Sequence, residues 1–145
     1  MLCKLIGVPL QDGASQLGCE MGPSALRVAG LAETLESLGH DVRDLGNVDA
    51  GAAAEMSHPN SAIRNLGTIA AWTEVLAEVA YRESGEGMPI FLGGDHALSA
   101  GTVAGSNRAK AETCMACRWR ISPGDRVSTA TCLRSLRRST APMSA

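Results

Sequence analysis

The residues of this sequence best suited to chemistry are an aspartate and a histidine, Asp95 and His96, which stand side by side. They follow an apolar run, Met88 to Leu92, and a pair of glycines, Gly93 and Gly94. This pattern predicts a strand that ends in a tight turn before a helix begins. Ligands bind at the carboxyl ends of strands in an open parallel sheet, and glycines permit the close approaches that aim side chains into a cleft.

Metal binding is the chemistry that this pair of side chains favours. His96 can bind a metal through one ring nitrogen, and Asp95 is a candidate to orient the imidazole by accepting a hydrogen bond from the other nitrogen. The alternative is structural, with Asp95 as a helix cap and His96 as an ordinary hydrogen-bonded side chain. These four residues alone leave both interpretations open.

Length and composition indicate one globular domain. The chain has 145 residues, of which 45% are hydrophobic and 19% are charged, enough for a real core and too apolar for a disordered chain. No apolar run approaches the length of a membrane span, and the first residues do not form a signal peptide. The odd number of cysteines, five, favours reduced thiols over a disulfide framework. We therefore predict a cytoplasmic protein.

The charge distribution divides the chain into two parts. Residues 1–112 carry seven basic and fourteen acidic side chains, whereas residues 113–145 carry six arginines and one aspartate. The second part is rich in Arg, Ser, Thr and Cys and contains no apolar run that could form a strand. We predict an α/β domain over 1–112 and a tail over 113–145 that is disordered or translated out of frame.

Strand and helix patterns alternate through the first part. Predicted strands cover Leu2–Val8, Asp41–Leu45 and Met88–Leu92, and predicted helices cover Pro23–Leu38 and Ala62–Arg82. The helix patterns are apolar stripes: Val28, Leu31, Leu35 and Leu38 in the first, and Ile69, Trp72, Leu76 and Val79 in the second. The order β-α-β-α-β predicts a three-layer α/β fold with a parallel sheet, flanking helices and right-handed crossovers. Trp72 is interpreted as a core residue.

Four segments together resemble the N-terminal part of the arginases, within the ureohydrolase family. They are Gly18–Arg27, Ala29–Leu31, Leu38–Gly46 and Leu92–His96, and they occur in the family's order. The resemblance extends from about Leu5 to about Lys110. The Gly-Gly-Asp-His element is shared with agmatinases and other ureohydrolases, while the Gly-Pro-Ser-Ala-Leu-Arg helix start looks more like arginase.

The resemblance implies a hydrolase that converts L-arginine to L-ornithine and urea at a pair of manganese ions. Two cations about 3.5–4 Å apart can share and acidify one water, which a poorly electrophilic guanidinium requires. His96 matches a metal ligand of the family, Asp95 lies beside it, and Gly93 and Gly94 form the turn. No catalytic residue is carried over. The resemblance also implies a homo-oligomer with a small-molecule substrate, and no partner among nucleic acids or membranes.

The family's remaining ligands, an Asp-x-His-x-Asp element and an Asp-x-Asp element, are not found downstream. No histidine follows His96, and the only acidic residue after Glu112 is Asp125. A reading-frame shift near Glu112 is our hypothesis for the abrupt loss of motifs and strand pattern. One imidazole cannot hold two metals, so we expect this chain to be inactive alone. A non-catalytic truncated α/β fragment or interaction module and an agmatinase-type ureohydrolase remain the alternatives.

Overall fold

The structure is a computed structural model that describes residues 1–15, 17–60 and 62–119, with side chains through residue 112. It contains three strands, β1 (Leu2–Val8), β2 (Asp41–Asn47) and β3 (Met88–Gly93), four helices, α1 (Gly22–Val28), α2 (Leu31–Ser37), α3 (Leu66–Glu83) and α4 (Leu98–Trp119), and a 3-10 turn at Cys19–Met21. The chain divides into two units, and the fold described below is that of the first, Met1–Ala109.

The three strands form one parallel sheet in the order β2-β1-β3. Strand β1 is central: Leu2 pairs with Asp41 on one side, and Cys3 pairs with Met88 on the other. Consecutive residues of β1 point to opposite faces, and all those from Cys3 to Val8 are buried, so both faces of this strand are covered. The predicted three-layer α/β fold with a parallel sheet is therefore confirmed.

The core lies where the carboxyl end of β1 meets α3. Val8, Leu10, Trp72 and Leu76 form its buried centre, and partly buried side chains, including Phe91, pack against them. Leu76 is fully buried, as its position in the predicted stripe of α3 requires. The prediction of Trp72 as a core residue is confirmed.

The single helix predicted over Pro23–Leu38 is wrong. The chain forms α1 and α2 instead, separated by Gly30, whose φ of 81° is left-handed and interrupts the helical backbone. The residues of the predicted stripe therefore no longer lie on one helix face. Val28 is 90% exposed and Leu38 is 67% exposed, so they do not form a buried face.

Other boundaries differ by a few residues. Helix α3 begins at Leu66 rather than near Ala62, because Asn65 takes a left-handed φ of 51° immediately before it. Strand β2 continues to Asn47, and helix α4 continues to Trp119, into the predicted tail. The rest of the predicted tail, residues 120–145, lies outside the described part of the chain. Within that part, no helix is both long and apolar enough to span a membrane.

Two glycines bring α4 against α3. A Cβ at Gly101 would lie 2.8 Å from the Cβ of Leu76, and a Cβ at Gly105 would lie 2.8 Å from the Cβ of Ala80. In both cases main-chain oxygens of α3 are closer still. The absence of side chains at these positions thus lets the two helices approach closely and fixes α4 against α3.

A partly buried ion pair joins β1 to the end of α3. The Nζ of Lys4 lies 3.1 Å from the Glu83 Oε2 and donates a hydrogen bond of 3.2 Å to the Glu83 carbonyl oxygen. The other carboxylate oxygen of Glu83 accepts a hydrogen bond of 2.8 Å from Arg82. The bond from Arg82, with that from Lys4, holds the pKa of Glu83 below its ordinary value against the opposing effect of burial.

This lowered pKa predicts a loss of stability in acid. A carboxyl whose pKa is lower in the folded chain contributes stability above the unfolded pKa, about 4.3 for glutamate, and loses it as the pH falls through the folded value. We expect Glu83→Gln to lower the free energy of unfolding at pH 7 by about 1–2 kcal/mol and to flatten its decline below pH ~4.3. Urea unfolding at several pH values measures both effects.

The matched control is Glu86→Gln, because Glu86 is exposed in the turn that follows α3. It should leave the free energy of unfolding at pH 7 within about 0.5 kcal/mol of the parent. Equal effects of the two substitutions would contradict a specific role for Glu83.

Candidate functional site at the carboxyl edge of the sheet

The turn after β3 lies against the loop after β1. The Gly94 amide donates a hydrogen bond of 3.2 Å to the Val8 carbonyl oxygen, and the Asp95 amide donates one of 2.8 Å to the Leu10 carbonyl oxygen. These bonds follow from the parallel pairing of β1 with β3, since the carboxyl ends of adjacent parallel strands meet at one edge. The turn predicted to carry the site is thus placed at that edge.

Close packing against the main chain requires the second of the two turn glycines. A Cβ at Gly94 would lie 2.8 Å from the Val8 carbonyl oxygen and 2.8 Å from the Leu10 nitrogen, with the Leu10 carbonyl oxygen nearer still. A Cβ at Gly93 would overlap the side chain of Leu98 at the start of α4. The structure therefore gives a steric reason for Gly94, whereas the Leu98 side chain can rotate away from a Cβ at Gly93.

Asp95 is buried, with 8% of its surface exposed, and its carboxylate binds main-chain amides. Its Oδ1 accepts a hydrogen bond of 2.8 Å from the Ala97 amide, and its Oδ2 accepts one of 2.8 Å from the Gly13 amide. Within the described residues, neither oxygen bonds to the His96 imidazole. The predicted orientation of that imidazole by Asp95 stays a prediction, while the capping role weighed beside it matches the Ala97 bond.

His96 follows in the same turn, and its side chain is exposed. Its carbonyl oxygen accepts hydrogen bonds from the Ser99 amide, at 3.1 Å, and from the Ser99 hydroxyl, at 2.8 Å. Among the described residues, the imidazole has no hydrogen-bond partner. An exposed imidazole at the carboxyl edge of a parallel sheet is accessible to a metal or a ligand.

The described residues do not by themselves hold two manganese ions. No three side chains of His, Cys, Asp or Glu come together within the part of the chain that the structure describes. The other two histidines lie elsewhere in the chain: His40 follows α2, and the Nδ1 of His58 accepts a hydrogen bond of 3.0 Å from the Asn60 amide. The donor set found here is one exposed imidazole, which does not fit a dimanganese centre.

The loop between β1 and α1 is held by its own polar side chains. Gln11 accepts a hydrogen bond of 3.1 Å from the Gly18 amide and donates one of 2.9 Å to Glu20. The Asn65 side chain donates a hydrogen bond of 3.0 Å to the Asp12 carbonyl oxygen, so the segment before α3 supports the same loop. The loop that contacts Asp95 is thus fixed from several directions.

Arg27, the last residue of the Gly-Pro-Ser-Ala-Leu-Arg motif, joins α1 to β2. Its guanidinium donates hydrogen bonds of 2.6 Å and 2.9 Å to the two carboxylate oxygens of Asp44, and a third of 2.6 Å to Asn47. The bonds from Arg27 hold the pKa of the Asp44 carboxyl below its ordinary value. Arg27 therefore stabilises the fold at β2, which lies on one side of β1, whereas His96 follows β3 on the other side.

Sequence reasoning missed the part that Gly13 plays at this site. Its amide reaches the Asp95 carboxylate from a position far away in the sequence, and a Cβ on Gly13 would lie 2.9 Å from the Cβ of Ala97. The only signal in the sequence was a glycine in the loop after the first strand. That signal does not reveal which distant residue the glycine contacts.

The parallel sheet, the glycine turn and the exposed histidine define an α/β protein with a candidate metal-ligating residue at the carboxyl edge of the sheet. The sequence profile described as "Arginase family" matches residues 2–115. The chain belongs to the arginase family. The resemblance inferred from its motifs is thereby confirmed.

Individual relatives agree with this membership. An arginase of Brucella melitensis is 52% identical over 112 residues, which are 77% of this chain and 37% of the relative. The structure of the arginase from Bacillus caldovelox aligns with a TM-score of 0.61 at 38% identity, covering 73% of this chain and 36% of that one. An Entamoeba histolytica arginase, solved in complex with L-ornithine, aligns with a TM-score of 0.59 at 27% identity, covering 74% and 36%.

The chain spans little more than a third of the length of the curated relatives it matches. The matched region coincides with the part of the sequence that shows strand and helix patterns and ends near the point where those patterns stop. The activity, substrates and partners of the complete relatives can therefore only be proposed for this chain.

Proposed function

We propose that this chain provides the N-terminal part of an arginase-type hydrolase, which cleaves the guanidinium of L-arginine to give L-ornithine and urea. In this proposal His96 is one ligand of a dimanganese centre, and Asp95, Gly93 and Gly94 hold it in place. The observation that carries the proposal is the exposed imidazole of His96 at the carboxyl edge of a parallel sheet. Membership of the arginase family supports the class of reaction.

The incomplete donor set limits what the chain does alone. Because no three His, Cys, Asp or Glu side chains come together among the described residues, we propose that the 145-residue chain has no arginase turnover by itself. This observation favours the second candidate function, a non-catalytic α/β fragment or interaction module that associates with complete subunits. An agmatinase-type activity has less support, because the relatives described above are arginases.

The proposed partners follow the same reasoning. L-Arginine is the proposed substrate of the assembled enzyme, consistent with the L-ornithine complex of the Entamoeba histolytica relative. We propose a cytoplasmic location, association with other arginase subunits, and no partner among nucleic acids or membranes.

A chimeric enzyme tests the proposal directly. Residues 1–112 of this chain would replace the matching N-terminal residues of the Brucella melitensis arginase, and urea and ornithine release would be measured with added manganese. We expect the chimera to hydrolyse L-arginine and His96→Ala to reduce its kcat/KM by about 100-fold or more, since loss of a metal ligand weakens the centre.

Two controls sharpen this test. His58→Ala removes an exposed histidine outside the proposed site and should leave turnover in the chimera unchanged. The natural 145-residue chain, assayed alone, should show neither turnover nor stoichiometric manganese. A folded chimera that is inactive, or one that is indifferent to His96→Ala, would contradict the proposed role. Manganese-dependent turnover by the chain alone would refute its dependence on further donors.

A further inference from the structure

We propose that Asp95 is a positioning residue that fixes His96 by joining two loops through their main-chain amides, rather than by holding the imidazole. Its carboxylate would act as a bridge between Gly13, in the loop after β1, and Ala97, in the turn before α4. This inference rests on the proposed function insofar as His96 is the group that is positioned.

The first support is that both carboxylate oxygens of Asp95 bind the surrounding main chain. Its two carboxylate oxygens each accept a hydrogen bond of 2.8 Å, one from Gly13 and one from Ala97, while its own amide donates one of 2.8 Å to Leu10. Asp95 is 8% exposed, and both bonds to its carboxylate are partly buried. Hydrogen bonds to an ionised carboxylate are stronger than those between neutral groups.

The second support is the shape of the loop that meets Asp95. A Cβ on Gly13 would lie 3.1 Å from each carboxylate oxygen of Asp95 and 2.9 Å from the Cβ of Ala97. A side chain there would therefore push the loop away from the carboxylate. The glycine permits the close approach that the bridge needs.

The consequence for His96 follows from its place in the chain. Asp95, just before it, forms hydrogen bonds through its amide and its carboxylate, and Ala97, just after it, donates one through its amide. The carbonyl oxygen of His96 itself accepts two hydrogen bonds from Ser99. The main chain on both sides of His96 is thus fixed, which sets where its Cβ lies. Only the side-chain torsions of the imidazole remain free.

Asp95→Ser separates this bridge from an ordinary helix cap. A serine can still accept a hydrogen bond from the Ala97 amide, as serine does in caps and turns, but it is too short to reach the Gly13 amide as well. A capping role alone predicts that Asp95→Ser behaves like the parent. The bridge predicts that the variant loosens the loop containing Gly13 and the turn containing His96.

Two readouts on the 145-residue chain report these events. Hydrogen exchange at the Gly13 amide should become about tenfold faster in Asp95→Ser, because local opening controls exchange. Hydrogen exchange at the Gly94 amide, which lies in the turn containing His96 and bonds to the Val8 carbonyl oxygen, should become about threefold faster for the same reason. Nuclear magnetic resonance resolves the two amides.

Thr102→Val is the matched control. Thr102 is as buried as Asp95, lies in α4, and bonds to the Leu98 and Ser99 carbonyl oxygens without touching the bridge. It should leave both readouts at their parent values even where it lowers the overall stability. A parent-like Asp95→Ser, or an equal response to Thr102→Val, would overturn the proposal.

The parent chain provides a test that does not depend on a folded variant. Gly13 is exposed, yet its amide should exchange slowly because it is bonded to Asp95. Exchange at the rate of a free amide would refute the bridge. None of these measurements requires metal or turnover, so a failed bridge is distinguishable from a failed assignment of arginase function.

Discussion

Gly94→Ala is expected to lower the free energy of unfolding by about 3 kcal/mol and to open the turn that carries His96. The added methyl would meet main-chain atoms of Val8 and Leu10, which cannot rotate away as a flexible side chain could. Relief would require the turn to move off the loop after β1, with loss of the hydrogen bonds that join Gly94 to Val8 and Asp95 to Leu10. Urea unfolding followed by circular dichroism gives the stability change.

Gly85→Ala is the matched control for this substitution. Gly85 is exposed, and the nearest atom to an added Cβ is the Arg82 carbonyl oxygen at 3.6 Å, an ordinary contact. Alanine there should be neutral or stabilise the protein by up to about 1 kcal/mol through the unfolded state. If both variants unfolded at the same urea concentration, the steric account of the glycine turn would be wrong.

Leu76→Ala is expected to lower the free energy of unfolding by about 2–5 kcal/mol, because it leaves a cavity in the centre of the core. Leu76 is fully buried, belongs to the cluster with Val8, Leu10 and Trp72, and lies where Gly101 of α4 approaches α3. The cavity should therefore also loosen the packing of α4 against α3, and α4 begins just after the turn that contains His96. Urea unfolding measures the first effect, and hydrogen exchange in α4 measures the second.

The control for the core substitution is Val28→Ala. Val28 is 90% exposed at the end of α1, so its truncation should change the free energy of unfolding by no more than about 0.5 kcal/mol. A cost for Leu76→Ala as small as that for Val28→Ala would show that α3 does not contribute the core described here.

The strands and the class of fold could be predicted from the sequence because their signals are local. The apolar run from Leu2 to Val8 stops at a proline, and the run from Met88 stops at two glycines, so both strands stand out with nearly correct ends. The break in the first predicted helix could not be predicted, because its regular apolar stripe outweighed the signal of Gly30. The left-handed backbone of Gly30 divides that helix into α1 and α2. An apolar stripe reflects only the spacing of apolar residues and does not show which of them are buried by other elements.

The candidate site was predictable in position but not in its supports. Glycines before an aspartate and a histidine at a strand end located the turn correctly, since topology places it at the carboxyl edge. The partners of Asp95 could not be foreseen, because Gly13 lies far away along the chain and nothing in its neighbourhood marks the contact. Long-range hydrogen bonds depend on how loops pack, which periodicity does not encode.

The central place of β1 in the sheet has a consequence for how this protein is made. Its first strand needs a neighbour on each side, and the second neighbour begins only at Met88. During synthesis the sheet cannot close until β3 has left the ribosome. Until then one edge of the apolar strand β1 keeps unpaired main-chain amides and carbonyl groups, which are a template for pairing with other chains.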